Sequence, residues 1–269
     1  MDLQLKDKVA LITGSSSGIG ASIAKTLARE GATVIVHGRN ADRTKRVADG
    51  ISEQGGKAFG VIGDLTEEAG AKGVIEEAFK AAGRIDILVN NAGGTDAAPV
   101  TWESGSLADW KEKFEQNFFS AIRVLQAVLP QMKTLGWGRV VQISTGLATQ
   151  PGTFMVDYAA AKAAMNNTTV SLAKEFAKFG ITINTVSPGP IVTPAFERVA
   201  RGVAEANGWG NDWDEIEKRF AEESVSTSVG RVGRVEEIAN AVAFLASPLA
   251  GFINGANLRI DGGFVTSVN

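Results

Sequence analysis

A tyrosine and a lysine four residues after it are the first candidates for chemistry in this chain. They lie in the stretch DYAAAK, residues 157–162, which contains the only tyrosine of the protein. On a helix, residues at this spacing lie on the same face, so Tyr158 and Lys162 can act at one place. A nearby ammonium group favours the phenolate and lowers the pKa of a phenol from its ordinary value of about 10. The pair therefore suits proton transfer, although the same spacing is also common on helices that catalyse nothing.

The missing residue types narrow the chemistry. The chain has no cysteine and one histidine, His37. This composition excludes disulfides, a thiolate nucleophile and a cysteine zinc site, and a histidine triad or metal site could be built only around His37. We therefore expect no metal site. We expect Tyr, Lys, Asp, Glu, Ser or Thr to carry any acid–base work.

Length and charge indicate the class of protein. The 269 residues, 44% of them hydrophobic, suffice for one large α/β domain or two small ones. No apolar run approaches the ~20 residues of a membrane span, and the N-terminal MDLQLKDK lacks an apolar signal segment. A net charge of -3 provides no basic surface for nucleic acid. We expect a cytoplasmic protein that binds neither membrane nor nucleic acid.

Strands and helices alternate along most of the chain. The predicted strands are KVALIT (8–13), TVIVHG (33–38), KAFGVIGD (57–64), IDILVNNAG (85–93), GRVVQIS (138–144), ITINTVSPG (181–189) and ANLRIDGG (256–263). The predicted helices include those at about 19–30, 41–54, 66–82, 109–135 and 157–179. Continuous apolar runs are typical of parallel strands buried on both faces. The pattern predicts one α/β domain over residues 1–269, a doubly wound parallel sheet of about seven strands with helices on both faces (the Rossmann fold).

The segment 193–228 interrupts this alternation. It is rich in charge, alanine and glycine, and it contains Trp209 and Trp213. Such an insertion is either a lid over a substrate site or an excursion of the surface. Aromatic residues in a polar segment favour the lid.

A glycine-rich loop, TGSSSGIG at 13–20, joins the first strand to the first helix. Its glycines allow a tight turn, close approach of a pyrophosphate and close packing of helix on strand, and the helix N-terminus favours phosphate. The spacing G-x-x-x-G-x-G differs from G-x-G-x-x-G and from an ATP-binding P-loop. The alternative is a purely structural turn. The position of the loop between a strand and a helix favours a dinucleotide site. The residues expected at the cofactor are Gly14, Ser16, Ser17, Gly18, Ile19 and Gly20.

The end of the second strand indicates which dinucleotide is preferred. NAD sites usually place a carboxylate there, which accepts hydrogen bonds from the ribose 2′-OH. Here VIVHGRN provides Gly38 and then Arg39. A guanidinium suits a 2′-phosphate, so we expect NADP(H), with NAD(H) possible. The alternative interpretation of Arg39 is a solvated charge in a loop. His37, two residues earlier, is either structural or part of the adenine-ribose pocket.

With TGSSSGIG, GD at 63–64, NNAG at 90–93 and the Tyr158/Lys162 pair, the chain resembles the short-chain dehydrogenase/reductase family. The resemblance covers essentially the whole length. It continues through EQNFFS, SPGPIVT at 187–193, GRVGRVEEIANAVAFLAS and a final DGG. The general form is similar to the branch with the 3-oxoacyl-carrier-protein reductases and many sugar, polyol and steroid dehydrogenases.

The resemblance implies roles for further residues at strand ends. Lys162 would hold the nicotinamide ribose, together with Tyr158, and Asn117 would hold a water that connects Lys162 to solvent. The other implied cofactor contacts are Asp64 and Leu65 at the adenine, Asn91, Ala92 and Gly93 beneath the cofactor, and Pro188, Gly189, Ile191 and Thr193 at the nicotinamide.

The reaction that the resemblance implies is hydride transfer between NADP(H) and a small carbonyl or secondary alcohol substrate. Tyr158 would be the general acid in reduction and the general base in oxidation. A further hydroxyl should orient the carbonyl, and in this family it is usually a serine thirteen positions before the tyrosine. That count reaches Thr145 in this chain. Ser144 could serve only if the loop were shifted by one residue.

Other functions remain open at this point. The chain could be a dinucleotide-binding sensor or scaffold, an NAD-linked polyol or sugar dehydrogenase of the same fold, or an epimerase or dehydratase of nucleotide sugars. The sequence does not identify the substrate. We expect residues 94–106 and 193–228 to form the walls of its pocket, and their Trp102 and Phe196 indicate that the substrate has an apolar part. A homotetramer or homodimer is expected, with the two long helices at its interface.

Overall fold

The computed structural model describes residues 1–95, 100–225 and 227–267. Within these ranges seven strands form one sheet in the order β3-β2-β1-β4-β5-β6-β7, and each neighbouring pair is parallel. The strands are β1 Val9–Ile12, β2 Thr33–Gly38, β3 Lys57–Ile62, β4 Ile87–Asn90, β5 Gly138–Ile143, β6 Ile181–Pro188 and β7 Asn257–Ile260. The predicted doubly wound α/β fold is confirmed, and the strand order reverses at β1.

Helices cover both faces of the sheet. They are α1 Gly18–Arg29, α2 Ala41–Glu53, α3 Glu68–Ala82, α4 Leu107–Phe114, α5 Ser120–Leu135, α6 Val156–Phe176, α7 Pro194–Asn207, α8 Trp213–Arg219 and α9 Val235–Ala246. A π-helical segment, Glu115–Phe119, joins α4 to α5, and another, Phe220–Val225, follows α8. None of the described helices is long and apolar enough to cross a bilayer.

The core explains why the strands are apolar at every position. On β1, Ala10 and Ile12 contribute to a first core with α1 and α9, whereas Val9 and Leu11 contribute to a second core with α3 and α5. Successive strand side chains point to opposite faces, so both faces of β1 are buried. Ile19, from the glycine loop, packs against the first core.

Two predicted helices begin or continue differently in the structure. The helix predicted at 66–82 begins at Glu68, because Thr66 first forms a turn in which its N–H and hydroxyl donate to Asp64 Oδ1. The helix predicted at 109–135 begins at Leu107 and is interrupted by the π-helical segment. Periodicity of apolar residues does not reveal one inserted residue in an otherwise helical run.

The segment 193–228 is largely helical and has a small core of its own. Ile216 and Phe220 are buried there, and Trp209 and Trp213 pack against them. Phe196 meets Phe220 edge to face, with ring centroids 5.0 Å apart. Packing within the segment therefore accounts for both tryptophans.

Candidate active site

Loops from neighbouring strands meet at the carboxyl edge of the sheet. Thr13, directly after β1, accepts hydrogen bonds at its Oγ1 from the N–H groups of Asn91 and Ala92, both at 3.0 Å. Asn91 Nδ2 donates in turn to the carbonyl oxygens of Thr13 at 2.9 Å and Gly14 at 3.0 Å. The loop after β4 is thus fixed against the glycine loop. Thr13 is a further residue of the site, and its only signal in the sequence is its place before the glycine motif.

The glycine loop leaves no room for side chains where strand, helix and neighbouring loop converge. Gly14 has φ +63°, and a Cβ there would lie 2.8 Å from Ala92 Cα. At Gly20 a Cβ would lie 2.4 Å from Asn91 Nδ2. The helix that follows begins at Gly18, and the first N–H groups of a helix have no partner within it. The cradle therefore suits a pyrophosphate.

Other contacts connect this loop to β2 and to α7. A Cβ on Gly38 would lie 2.8 Å from Ser16 Oγ, so Ser16 lies beside the end of β2. Ser17 is the N-cap residue of α1. A Cβ on Gly18 would lie 3.5 Å from Thr193 Cγ2, which makes the glycine loop a neighbour of the start of α7. The structure thus brings together residues predicted at the pyrophosphate and at the nicotinamide.

Arg39 and Asp64 form an exposed ion pair, with Arg39 Nη1 3.7 Å from Asp64 Oδ2. Burial raises the pKa of Asp64, but the hydrogen bonds from Thr66 and the charge of Arg39 outweigh burial, so this pKa lies below its ordinary value. The two polar residues predicted at the adenosine half are therefore together. Leu65 differs, because its side chain is buried in the second core.

Tyr158 lies in the first turn of α6, and its hydroxyl lies next to the Thr145 side chain just after β5. Thr145 Oγ1 also accepts the N–H of Leu147 at 3.3 Å. Ser144 points elsewhere, since its buried Oγ donates to the backbone carbonyl of Lys162 at 3.4 Å. Of the two neighbouring hydroxyls, Thr145 is the one beside the phenol.

The pKa values of the Tyr158/Lys162 pair differ from the expectation. Burial raises the pKa of Tyr158 to about 12, although the neighbouring Thr145 hydroxyl lowers it in part. Burial also lowers the pKa of Lys162 to about 8. Lys162 Nζ lies 6.0 Å from the Tyr158 ring centroid and donates to the carbonyl of Ile143 at 2.8 Å. The prediction that Lys162 lowers the pKa of Tyr158 is wrong for this arrangement, because desolvation disfavours both charged forms.

Asn117 lies in the π-helical segment and is fully buried. Its Oδ1 accepts the N–H of Gly94 at 2.8 Å, and its Nδ2 donates to the carbonyls of Gly94 at 3.2 Å and Lys113 at 3.1 Å. A Cβ on Gly93, where φ is +135°, would lie 2.5 Å from the same Oδ1. The amide thus clamps the loop after β4 onto the helix, whereas the predicted water between Asn117 and Lys162 stays a prediction.

The residues predicted at the nicotinamide follow β6. Pro188 ends this strand, and a Cβ on Gly189 would lie 2.8 Å from Asp261 Cα. Ile191 contributes its side chain to the first core. Thr193 is the N-cap of α7, and its Oγ1 accepts an N–H of the first turn at 3.1 Å.

The predicted substrate walls are only partly described. Residues 96–99, within the wall at 94–106, lie outside the described residues. Trp102 is exposed and meets Trp110 edge to face at 6.4 Å between centroids.

Residues 8–203 match the family model of the short chain dehydrogenases. The chain belongs to this family. Its members act as oxidoreductases on CH–OH groups, and the chain shares the seven-stranded α/β fold of their solved structures.

Several relatives cover nearly the whole chain. The 3-oxoacyl-acyl-carrier-protein reductase of Aquifex aeolicus is 37% identical over 264 residues, covering 98% of this chain and 99% of the relative. The L-sorbose reductase of Gluconobacter frateurii, solved with NADPH and L-sorbose, has a TM-score of 0.93 at 32% identity, with both chains covered completely. A 7 alpha-hydroxysteroid dehydrogenase solved with NADH and 7-oxo glycochenodeoxycholic acid has a TM-score of 0.85 at 34% identity, covering 100% of this chain and 98% of the relative. Similar relatives therefore bind different nicotinamide dinucleotides and different substrates.

Proposed function

We propose that this short-chain dehydrogenase transfers a hydride between NADP(H) and a small carbonyl compound or secondary alcohol. The observation that supports this most is the placement of the buried Tyr158 phenol next to the Thr145 side chain at the end of β5, beside the buried Lys162. A substrate oxygen between the two hydroxyls would meet two donors where negative charge develops during reduction. Tyr158 would give its proton to that oxygen in reduction and take it back in oxidation.

The protonation states suit this role. With a pKa of about 12, Tyr158 is a neutral phenol at neutral pH and carries the proton that reduction requires. Lys162, with a pKa of about 8, is mostly an ammonium group under the same conditions. Release of its hydrogen bond to Ile143 would free Nζ for the ribose hydroxyls and for the phenolate left after proton transfer.

The described residues fit a dinucleotide. Gly14, Gly18 and the start of α1 form a backbone cradle that side chains would fill, and they would hold the pyrophosphate. When bound, NADP(H) would supply or accept the hydride. Arg39, exposed beside Gly38, would hold the 2′-phosphate.

The preference for NADP(H) rests on Arg39. The L-sorbose reductase binds NADPH, whereas the steroid dehydrogenase binds NADH. Replacing Arg39 by alanine should raise KM for NADPH by about tenfold or more, because a charge-assisted contact is lost, and should leave KM for NADH nearly unchanged. Arg29→Ala, at the far end of α1, is the control. If both cofactors are affected equally, the preference is not set by Arg39.

The experiment that tests the function is a panel of sugars, cyclic ketones and oxoacyl thioesters assayed with NADPH and with NADH. Tyr158→Phe should reduce kcat by about 100-fold or more, as expected for loss of a general acid. Near-normal turnover of this variant would refute the mechanism. Tight NADPH binding with no turnover of any compound would instead favour a sensor or scaffold.

A further inference from the structure

The only histidine of the chain is buried at the base of the glycine loop, with both ring nitrogens in hydrogen bonds. The N–H of Gly14 donates to His37 Nδ1 at 3.0 Å, and His37 Nε2 lies 3.1 Å from the carbonyl oxygen of Gly63. A backbone N–H can only donate and a carbonyl can only accept. The ring is therefore neutral, with its hydrogen on Nε2.

The two partners of this ring belong to different parts of the candidate dinucleotide site. Gly14 begins the glycine loop with φ +63°, and Gly63 directly precedes Asp64. The main chain of His37 strengthens the link, because its N–H donates to Ser15 Oγ at 3.0 Å and its carbonyl accepts the N–H of Ser15 at 2.8 Å. One residue of β2 therefore ties the loop after β1 to the loop after β3.

We propose that His37 is a positioning residue for the dinucleotide, which holds the Gly14 peptide and the Gly63 carbonyl in place without contacting the reacting atoms. The inference rests on the proposed dinucleotide binding. Gly14 would serve the pyrophosphate and the turn at Asp64 the adenine, so the imidazole would fix the separation of two contacts to one ligand. Pre-organised contacts increase affinity because less ordering is left to binding.

Protonation of His37 should release this link. A second proton on Nδ1 would set a donor against the N–H of Gly14. Burial lowers the pKa of His37 from its ordinary 6.5, while the Asp64 carboxylate raises it and Arg39 lowers it; the glycine loop has no charged residue. Since this pKa is depressed, the neutral form and its contribution to affinity are complete above about pH 6.5, and both are lost as pH falls through the depressed pKa.

Three substitutions separate the two hydrogen bonds. The side-chain oxygen of His37→Asn can take the place of Nδ1 and accept the N–H of Gly14, whereas the longer amide of His37→Gln can reach Gly63. His37→Leu can do neither, and it leaves the buried N–H of Gly14 without its partner.

Calorimetric titration with NADP+ and with NAD+ tests the proposal without a substrate. His37→Leu should raise Kd for both dinucleotides about tenfold, by the same factor, while kcat at saturating cofactor changes little. His37→Asn and His37→Gln should each restore part of the affinity, because each keeps one of the two hydrogen bonds. Equal Kd values for the Asn and Leu variants, or a loss of kcat with unchanged Kd, would overturn the proposal.

The pH dependence provides a second readout, which holds even if the leucine variant does not fold. Wild-type affinity for NADP+ should fall as the pH is lowered below about 6.5, and the affinity of His37→Asn should fall less, because asparagine does not titrate in this range. The ligand titrates equally in both proteins, so the difference reports His37. Identical acid profiles would refute the proposal, whereas a wild-type protein that binds neither dinucleotide would refute the proposed function itself.

Discussion

Two adjacent hydroxyls after β5 have different surroundings, and this difference decides which of them can meet a substrate. The Thr145 side chain lies next to the phenol of Tyr158, whereas Ser144 is buried and bonds to the backbone of Lys162. Consecutive side chains of an extended segment point to opposite sides, so both cannot face the same pocket. We therefore propose that Thr145 takes the place of the family's usual serine, with the register of the loop kept.

Thr145→Ala should therefore reduce kcat by about 100-fold, the usual cost of removing one donor to a developing oxyanion. Thr145→Ser is the matched control and should keep turnover within a few fold, because it retains the hydroxyl. Ser144→Ala should have the smaller effect on kcat in the same steady-state assay. A larger loss for Ser144→Ala than for Thr145→Ala would show that the loop is shifted by one residue during catalysis.

Tyr158 can be titrated alone, because the chain has no other tyrosine. With a pKa of about 12, the cofactor-free protein should show no phenolate absorbance near ~295 nm up to about pH 9. Lys162 cannot stabilise the phenolate at about pH 9, since its own pKa of about 8 leaves its amine largely neutral at that pH. Lys162→Met should therefore leave the titration unchanged, and Tyr158→Phe should abolish it. A phenolate signal below about pH 8 would show that the ammonium does stabilise the phenolate.

Residue types were predictable from the sequence to a greater extent than their contacts. The positions of Tyr158, Lys162 and Asn117 follow from motif spacing. The hydrogen bonds of Lys162 to Ile143 and of Asn117 to Gly94 do not, because they depend on rotamers and on loops that other strands supply. The depressed pKa of Lys162 likewise arises from burial, which spacing does not report.

The segment 193–228 was recognisable as an insertion but not as a helical pair with its own core. Glu217, on α8, is 9% exposed and accepts a hydrogen bond at 2.6 Å from Arg234, the residue before α9. Glu237 on α9 accepts two hydrogen bonds from Arg231, at 2.9 and 2.6 Å. The Glu217–Arg234 pair therefore ties the insertion to the start of α9, where the Arg231–Glu237 pair holds the neighbouring turn. We propose that the rest of the insertion covers the substrate.

Breaking the Glu217–Arg234 pair tests this proposal. Glu217→Gln should raise KM for the carbonyl substrate about fivefold, because loss of a half-exposed ion pair costs about 1 kcal/mol of lid anchoring. Kd for NADP+ should stay unchanged. The control is Glu215→Gln, which removes the exposed pair with Arg219 on the same helix. An unchanged KM for Glu217→Gln, or an equal rise for both variants, would indicate a surface excursion with no part in binding.

The sheet as a whole was the most predictable feature. Apolar runs bounded by glycine-rich turns gave all seven strands, since strands buried on both faces leave a continuous signal. The site followed from the same pattern, because open α/β sheets bind ligands at the carboxyl ends of their strands. Contacts across the sheet were less predictable: His37 meets Gly14 and Gly63 only because β1, β2 and β3 are neighbours in this register.

An apolar groove of about 440 Å³ lies between α5 and α6, the helices expected at a subunit interface. Its apolar lining is Ile122, Leu125, Leu129, Leu172, Phe176 and Phe179. A two-fold axis would place the same groove of two copies face to face, so that each covers the other. We therefore predict a dimer or tetramer built through this groove.

Leu172→Arg should reduce the mass measured by sedimentation equilibrium, because a charge buried in an apolar interface loses its hydration. The wild-type protein should sediment at two or four times the chain mass of 28.2 kDa. Val199→Arg, on exposed α7 outside the groove, is the control and should keep the wild-type mass. The groove is not the interface if wild-type protein sediments as a single chain, or if Leu172→Arg folds and assembles as the wild type does.

Because the Tyr158 site is built within one chain, a dissociated Leu172→Arg protein should retain its turnover per subunit. A loss of turnover on dissociation would indicate that assembly holds α6 in its active position.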